Sequence, residues 1–264
     1  MQNFAILQTI MQSLFSDSMN NVWQNSLKEK MGSLISSTSR RDMLGEALSG
    51  KIRSDSAMLR QASRNVREAE GMMSLASEGI GEVNKLLKEA GGLAEQYQAS
   101  TDPVEQSQLQ SQYNALCSNI DGIIKNTVYN GISLLDGNKW ATDDRVKASG
   151  GNASGTVQIY AGNSGFDLSL SNVRESIYEP LSSLDISAAD AMEKLSTMET
   201  TSQMMSDTYA RRASSLKSQA GSLERQAGIL DRVAKSQSGQ EGSLQDILVD
   251  FAMSDRGKII SGRG

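Results

Sequence analysis

Histidine is absent from this 264-residue chain, cysteine occurs once and proline twice. Without histidine there is no zincin motif and no Ser-His or Cys-His nucleophile pair, and most zinc sites are excluded. The single cysteine, Cys117, rules out an intrachain disulfide. No phosphate-cradling loop and no paired carboxylate set stands out, so neither a cofactor nor an enzyme is expected. The Asp143-Asp144 pair reads as a solvated loop, with a metal site as the competing reading. Aromatic residues make up only 5%, thin for a compact core. No apolar run reaches the ~20 residues that cross a bilayer, so membrane insertion is not expected. The opening segment MQNFAILQTIMQSLFSDSM has no charged stretch ahead of its apolar part, which argues against a cleaved signal. Net charge is −5 with a pI near 5.0, and no basic stripe offers itself to nucleic acid. The two prolines, Pro103 and Pro180, should fall at element boundaries.

What the chain does have is helical period. Leu48, Ile52, Asp55, Leu59, Ala62, Val66, Ala69, Met73, Ala76, Ile80, Val83, Leu87, Ala90, Ala94 and Tyr97 alternate three and four apart, and only Asp55 is polar. Such a seam over about seven heptads predicts one long helix with a coiled-coil-like face. Gly91-Gly92 marks a weak point or a fraying end.

A second helix starts at STDPVEQSQLQ. Asp102 is the N-cap, Pro103 the first turn, and Glu105 completes a capping box. Its apolar face is Leu109, Tyr113, Leu116, Ile120 and Ile123, with Cys117 beside it. Cys117 reads as a small buried apolar group; the other reading, a reactive thiol, has neither a histidine nor a CxxC to support it. NTVYNGISLLDG, 126–137, ends this helix with an Asn130-Gly131 turn, and Ile132, Leu134 and Leu135 can tuck back onto the helices. DGNKWATDDRVKASGGNASG reads mostly as loop anchored by Trp140. Val157 and Ile159, then Phe166, Leu168 and Leu170, alternate with polar residues around an Ala161–Gly165 loop. That pattern predicts a β-hairpin at about 155–173, too small to stand alone.

A third long helix is expected from near Ser187. Its seam is Leu195, Met198, Ser202, Met205, Tyr209, Ala213, Leu216, Ala220, Leu223, Ala227, Leu230 and Ala234. Its alanine layers would let a neighbouring backbone come close. Met192, Met198, Met204 and Met205 read as adaptable core, with a binding groove as the lesser reading. Both ends carry apolar stripes: Phe4, Leu7, Met11 and Leu14, and Leu244, Ile247, Leu248 and Phe251. These helices either cap the bundle or pair with each other or with copies of themselves. The expected division is an N-terminal helix at 1–40, a helical body with its hairpin at 41–235, and a short helix and tail at 236–264.

Four stretches, in order, resemble bacterial flagellin. LRQASRNVREAEGMMSLASEGIGEVNKLL, 59–87, is similar to the family's Gln-Ala-x-Arg-Asn step ahead of a glycine-punctuated helix. TVYNGISLLDG, 127–137, is similar to its Thr-x-Phe-Asn-Gly-x-x-Leu-Leu-Asp-Gly block, with Tyr129 in the aromatic place. GTVQIYAGNSGFDLSL stands where the family places a hairpin, and LDISAADAMEKLSTM resembles the start of its C-terminal rod helix. The likeness covers about residues 44–235.

The resemblance implies a mainly α fold. It would be an elongated, antiparallel, coiled-coil-like helical rod with a small β-hairpin on its side and terminal helices at one pole. It implies a structural subunit of the flagellar filament, outside the cell, self-assembling after type III export without a cleaved signal. Its partners would be other copies of itself or related flagellins, an export chaperone, and hook-junction or cap proteins. Two departures from the pattern, SSTSRRDMLGEAL near the N-terminus and the short C-terminal tail LQDILVDFAMSDRGKIISGRG, fall in the part that builds a filament core. They support an alternative, a hook–filament junction protein, adaptor or non-polymerising paralogue. Gly91 and Gly92 replace the family's usual Arg-Glu, part of a surface that an animal innate receptor recognises, which implies weak recognition. The candidate functional residues are therefore contact surfaces. They are lateral contacts at Arg60, Arg64, Asn65 and Arg67, axial contacts at the hairpin and at Tyr129, Asn130 and Gly131, and core contacts at Phe4, Leu7, Met11, Leu14, Ile247 and Phe251.

Overall fold

The computed structural model describes residues 41–162 and 164–237, with side chains from 49 to 235. The terminal helices expected at 1–40 and 236–264, with Phe4, Leu7, Met11, Leu14, Ile247 and Phe251, lie outside the described residues. In order come α1 (Arg41–Ala99), α2 (Pro103–Asn126), β1 (Val128–Tyr129), β2 (Ile132–Ser133), a 3-10 turn (Gly137–Thr142), β3 (Val146–Ser149), β4 (Ser154–Ala161), β5 (Ser164–Ser171), a π-helical turn (Arg174–Tyr178), α3 (Glu179–Ser182) and α4 (Ala191–Gln237). The fold is mainly α with a small antiparallel sheet, as the sequence implied. The chain forms two compact units: Leu59–Glu224, and the remainder up to Met58 and from Arg225.

The α1 seam is the spine of the larger unit. Leu59, Ala62, Val66, Ala69, Met73, Ala76, Ile80, Val83, Leu87, Ala90 and Ala94 are all buried. Gly91-Gly92 does not end the helix, which runs on to Ala99. Against this seam α4 buries Leu195, Met198, Tyr209, Ala213, Leu216 and Ala220. The methionine cluster divides, however: Met198 is core, whereas Met204 is 58% exposed.

A second heptad runs beside the apolar one and was not read from sequence. Ser63 Oγ donates to the Ala220 carbonyl at 3.0 Å, Ser77 Oγ to Ser206 at 3.0 Å, and Asn84 Nδ2 to Glu199 at 2.9 Å. As one helix number rises the other falls, so α1 and α4 are antiparallel here. The partners of the two serines, Ala220 and Ser206, are small, which lets a short hydroxyl reach across to backbone. In the other unit the same pattern holds, with Ser56 Oγ on the Ala227 carbonyl at 3.0 Å and Ser49 Oγ on Ala234 at 3.4 Å.

Helix α2 opens on the Asp102 cap, whose carboxylate accepts from Val104 N at 2.9 Å. Glu105 does not close a capping box. Ser100 Oγ takes the Asp102 N–H at 3.2 Å and bonds Glu105 itself. The buried face is Leu109, Tyr113, Cys117, Ile120 and Ile124, while Leu116 and Ile123 are only half-buried. Burial raises the pKa of the Cys117 thiol, so it stays protonated. Helix α4 begins at Ala191, not near Ser187. Asp185 Oδ1 first holds Ser187 N at 2.9 Å, and two turns bring the chain round.

The expected hairpin is the two-strand half of a three-stranded sheet, ordered β3-β4-β5. Strands β4 and β5 pair from Ser154↔Ser171 to Ala161↔Ser164, so their connection is shorter than the Ala161–Gly165 loop expected. Strand β3 lies in the segment read as loop. Gly150, Gly151 and Asn152 all take positive φ and reverse the chain, and β3 hides its period because only Val146 faces inward. Tyr209 Oη accepts from Ser171 N at 2.6 Å, which fixes the end of β5 to α4.

Candidate interaction surfaces

Asn130 and Gly131 both have positive φ, 49° and 80°, at the centre of a two-residue β1–β2 hairpin pairing Tyr129 with Ile132. Asparagine and glycine tolerate that left-handed geometry at least cost, which is why this dipeptide marks such turns. Arg145 Nη1 donates to the Asn130 carbonyl at 2.9 Å, while its Nε and Nη2 grip Asp143 at 2.9 and 2.8 Å. Those hydrogen bonds hold the Asp143 carboxyl below its ordinary pKa. The Asp143-Asp144 loop is thus partly spent on Arg145. Among the described residues no group of three His, Cys, Asp or Glu is placed to hold a metal ion.

The turn is seated by gaps in α1. A Cβ on Gly79 would stand 2.6 Å from Thr127 Oγ1 and 3.2 Å from Leu135 Cδ1, and one on Gly71 would meet the Tyr129 ring. Gly71 and Gly79 of the long helix are therefore the footprint of the 127–137 block. Beneath it, Leu134, Leu135 and Trp140 are buried, and Trp140 Nε1 donates to the Ser133 carbonyl at 2.8 Å.

Arg174, missed in the sequence, ties this block to α2. Its Nε meets Asp136 Oδ1 at 2.8 Å, its Nη2 meets Asp121 Oδ1 at 2.6 Å, and its guanidinium lies 4.9 Å over the Tyr178 ring. Asp121 also holds Lys125 at 2.5 Å. Burial alone would raise the Asp121 carboxyl, but hydrogen bonds from Lys125 and Arg174 outweigh it and hold the group below its ordinary value. Asn172 Oδ1 accepts from Gly137 N at 3.0 Å and closes the corner. Among the described residues, Ser133 Oγ is the one buried side-chain polar atom without a hydrogen-bond partner. The corner is a structural knot built on the Arg174 guanidinium and the Asp136 and Asp121 carboxylates.

The four α1 residues read as contacts divide. Asn65 turns inward: its Nδ2 donates to the Tyr160 carbonyl at 2.7 Å and pins the β4–β5 end to the helix. Arg67 pairs with Glu224 on α4. Arg60 and Arg64 are exposed, Arg64 bonding Gln61 one turn back. Tyr129 is half-buried, and Asn130 and Gly131 are exposed. Two open grooves lie among the described residues. One of about 600 Å³ surrounds the Asn-Gly turn, between Lys125, Val128, Lys139 and Arg145. Another of about 710 Å³ lies between α3 and the start of α4, lined by Pro180, Leu184, Asp185, Glu193 and Met198. No helix among the described residues is long and apolar enough to cross a membrane.

Residues 4–140 match the bacterial flagellin N-terminal helical region. Flagellin of Clostridium tyrobutyricum is 32% identical over 99 residues, 37% of this chain and 26% of that protein. Flagellin B of Helicobacter pylori is 31% identical over 119 residues, 45% of this chain and 23% of that protein. Flagellin of Bacillus subtilis is 29% identical over 142 residues, 51% of this chain and 44% of that protein. The matches thus span well under two thirds of these relatives. The crystal structure of Bacillus cereus flagellin is similar in fold, with a TM-score of 0.50 and 19% identity over 60% of this chain and 88% of that one.

Proposed function

This chain belongs to the bacterial flagellin family, and on that premise we propose that it is a structural subunit of the flagellar filament. The observation that carries the reading is the match of residues 4–140 to the flagellin N-terminal helical region. The geometry supports it in a specific way. The Tyr129-Asn130-Gly131 block, the most distinctive stretch, is a turn fitted to glycine gaps in α1, a construction for rigidity. Ser63, Ser77 and Asn84 of α1 are spent on the α4 backbone, and charges on the outer face of α1 suit contacts between molecules. A heterologous contact that does not close gives helical filaments. On this reading the subunit works outside the cell after type III export, without cleavage of its start. Its partners are other copies or related flagellins, with an export chaperone, junction and cap proteins on the way. We assign it no catalytic role.

The contact candidates are Arg60, Arg64 and Arg67, the Tyr129–Gly131 turn, and the terminal stripes Phe4, Leu7, Met11, Leu14, Ile247 and Phe251. Receptor recognition through the Gly91-Gly92 face is expected to be weak. Strong activation of a receptor reporter cell at nanomolar protein would contradict it. The main test is negative-stain electron microscopy of the purified chain before and after ammonium sulfate or filament seeds. Long helical filaments are expected. Persistent monomers with an intact helical circular dichroism spectrum would overturn the reading in favour of a junction or adaptor protein.

A further inference from the structure

We propose that the Asn130-Gly131 turn is a site of spontaneous deamidation held in check by Arg145, whose guanidinium latches the turn in a conformation that cannot cyclise. The inference does not depend on the filament reading.

Asn130-Gly131 is the one Asn-Gly step in the sequence. In such a step the Gly131 nitrogen can attack the Asn130 side-chain carbonyl, because glycine puts no side chain in the way. An N–Cγ bond forms, the Cγ–Nδ2 bond breaks, and the Gly131 N–H proton leaves with the amide as ammonia. Water then opens the succinimide ring. Breaking its N–Cγ bond gives aspartate, and breaking the bond from nitrogen to the backbone carbonyl carbon gives isoaspartate. Both residues are exposed to the water this needs. Isoaspartate adds a carbon to the main chain, which a two-residue turn pairing Tyr129 with Ile132 cannot absorb. The reaction would therefore unseat Tyr129 from Gly71. The nearby Asp136-Gly137 step is closed to the same chemistry, since Gly137 N donates to Asn172 Oδ1 at 3.0 Å and Arg174 holds Asp136.

Two positive φ values make this a type I′ turn, whose first central residue has ψ of about +30°. The five-membered ring needs Cβ and the Gly131 nitrogen nearly eclipsed about the Cα–C bond. That is a ψ of about −120°, the value of a type II′ turn. The Asn130 φ of 49° suits both turns. Cyclisation thus requires a flip of the Asn130–Gly131 peptide, which glycine at the second position allows. The flip swings the Asn130 carbonyl away from Arg145 Nη1, which donates to it at 2.9 Å. Arg145 cannot follow, because its Nε and Nη2 are bound to Asp143 at 2.9 and 2.8 Å. A guanidinium on that carbonyl also favours the amide anion that attacks, but only where the nitrogen is out of reach.

The test follows position 130 in the full, unassembled chain by peptide mapping and mass spectrometry in mildly alkaline buffer. Aspartate and isoaspartate should build up far more slowly in the folded wild type than in urea. Arg145→Ala should speed their appearance in the folded chain roughly three- to tenfold, the factor of one net hydrogen bond from a half-exposed group. Asp143→Ala, which keeps the guanidinium but frees its other side, should speed it by less. Asn152, also at positive φ, should not change in either variant. Folded wild type that deamidates as fast as the chain in urea would overturn the latch. So would an Arg145→Ala rate at or below wild type, an Asp143→Ala rate above that of Arg145→Ala, or equal acceleration at Asn152.

Discussion

The α1–α4 seam and the Thr127–Tyr178 corner are held together by opposite means. The seam repeats: alanine, leucine and serine recur every seven residues, and each contact resembles the one before it. The corner has no repeat. Arg174 reaches Asp136 and Asp121 from 38 and 53 residues away, and Gly79 makes room for one particular threonine. A repeated seam spreads its stability over many replaceable contacts. A unique corner concentrates it in a few that are not.

The sharpest way to break the comparison is Arg174→Ala. It leaves Asp136, whose side chain is nearly inaccessible, without its cation. Losing one partner of a buried pair costs about 3–5 kcal/mol. Adding Asp136→Asn should return part of that loss, because the uncompensated charge is gone. Urea unfolding of the three proteins measures both effects. Equal stability of Arg174→Ala and the wild type would mean that the knot does not hold the corner.

Asp121 comes next, and pH separates its role. Its folded pKa lies below the unfolded value, so its stabilisation is present above the unfolded pKa of ~3.9 and is lost as pH falls through the lower folded one. Asp121→Asn should cost about 1.5–3 kcal/mol at pH 7, the usual worth of hydrogen bonds to charged groups. The gap to wild type should close as pH falls below ~3.9 and through the lower folded pKa. A gap that stayed constant in acid would show that the loss is not electrostatic.

Glycine gives a pair of opposite signs. Gly79→Ala forces a methyl against Thr127 Oγ1, which is itself held by the Ile123 carbonyl at 2.7 Å. Overpacking of about 1–3 kcal/mol should exceed the helix gain of about 1 kcal/mol. Gly91→Ala and Gly92→Ala meet nothing within 4 Å, so each should stabilise by about 0.5–1 kcal/mol. The same substitution thus distinguishes a seat from a bare helix position.

The same contrast explains what could be read in advance. Every apolar seam position from Leu59 to Ala94 was legible because period survives in sequence. The Asn130-Gly131 turn was legible because its backbone demands those residues. Strand β3 was not, since Val146 alone points inward and its other positions look like loop. Arg174 was not, because a guanidinium advertises nothing about partners 38 and 53 residues away. The serine heptad was available: Ser49, Ser56 and Ser63 keep a seven-residue step, and Ser77 stands two such steps further on. It was overlooked because serine usually marks an exposed face. The exposure of Arg60 and Arg64 was legible in the sequence, but the inward turn of the Asn65 amide to the sheet was not.

That overlooked ladder carries the smallest expected effect, and its smallness is informative. Ser63→Ala removes a hydrogen bond to the Ala220 carbonyl, worth about 0.5–1.5 kcal/mol net. The acceptor lies inside a helix and keeps its backbone partner, so no orphaned group is left. Alanine also returns about 0.5 kcal/mol of helix propensity. The net loss should stay under about 1 kcal/mol. Ser77→Ala, fourteen residues away at about 21 Å along the helix, should add to it independently. Ser63→Leu should instead cost about 1–3 kcal/mol, because it wedges apart backbones that a hydroxyl only bridges. If the alanine variant were as damaging as the leucine one, the serines would be holding the helices together. The expected wide gap says that their main contribution is to be small, letting α4 come close enough for the apolar seam beside them to do the binding.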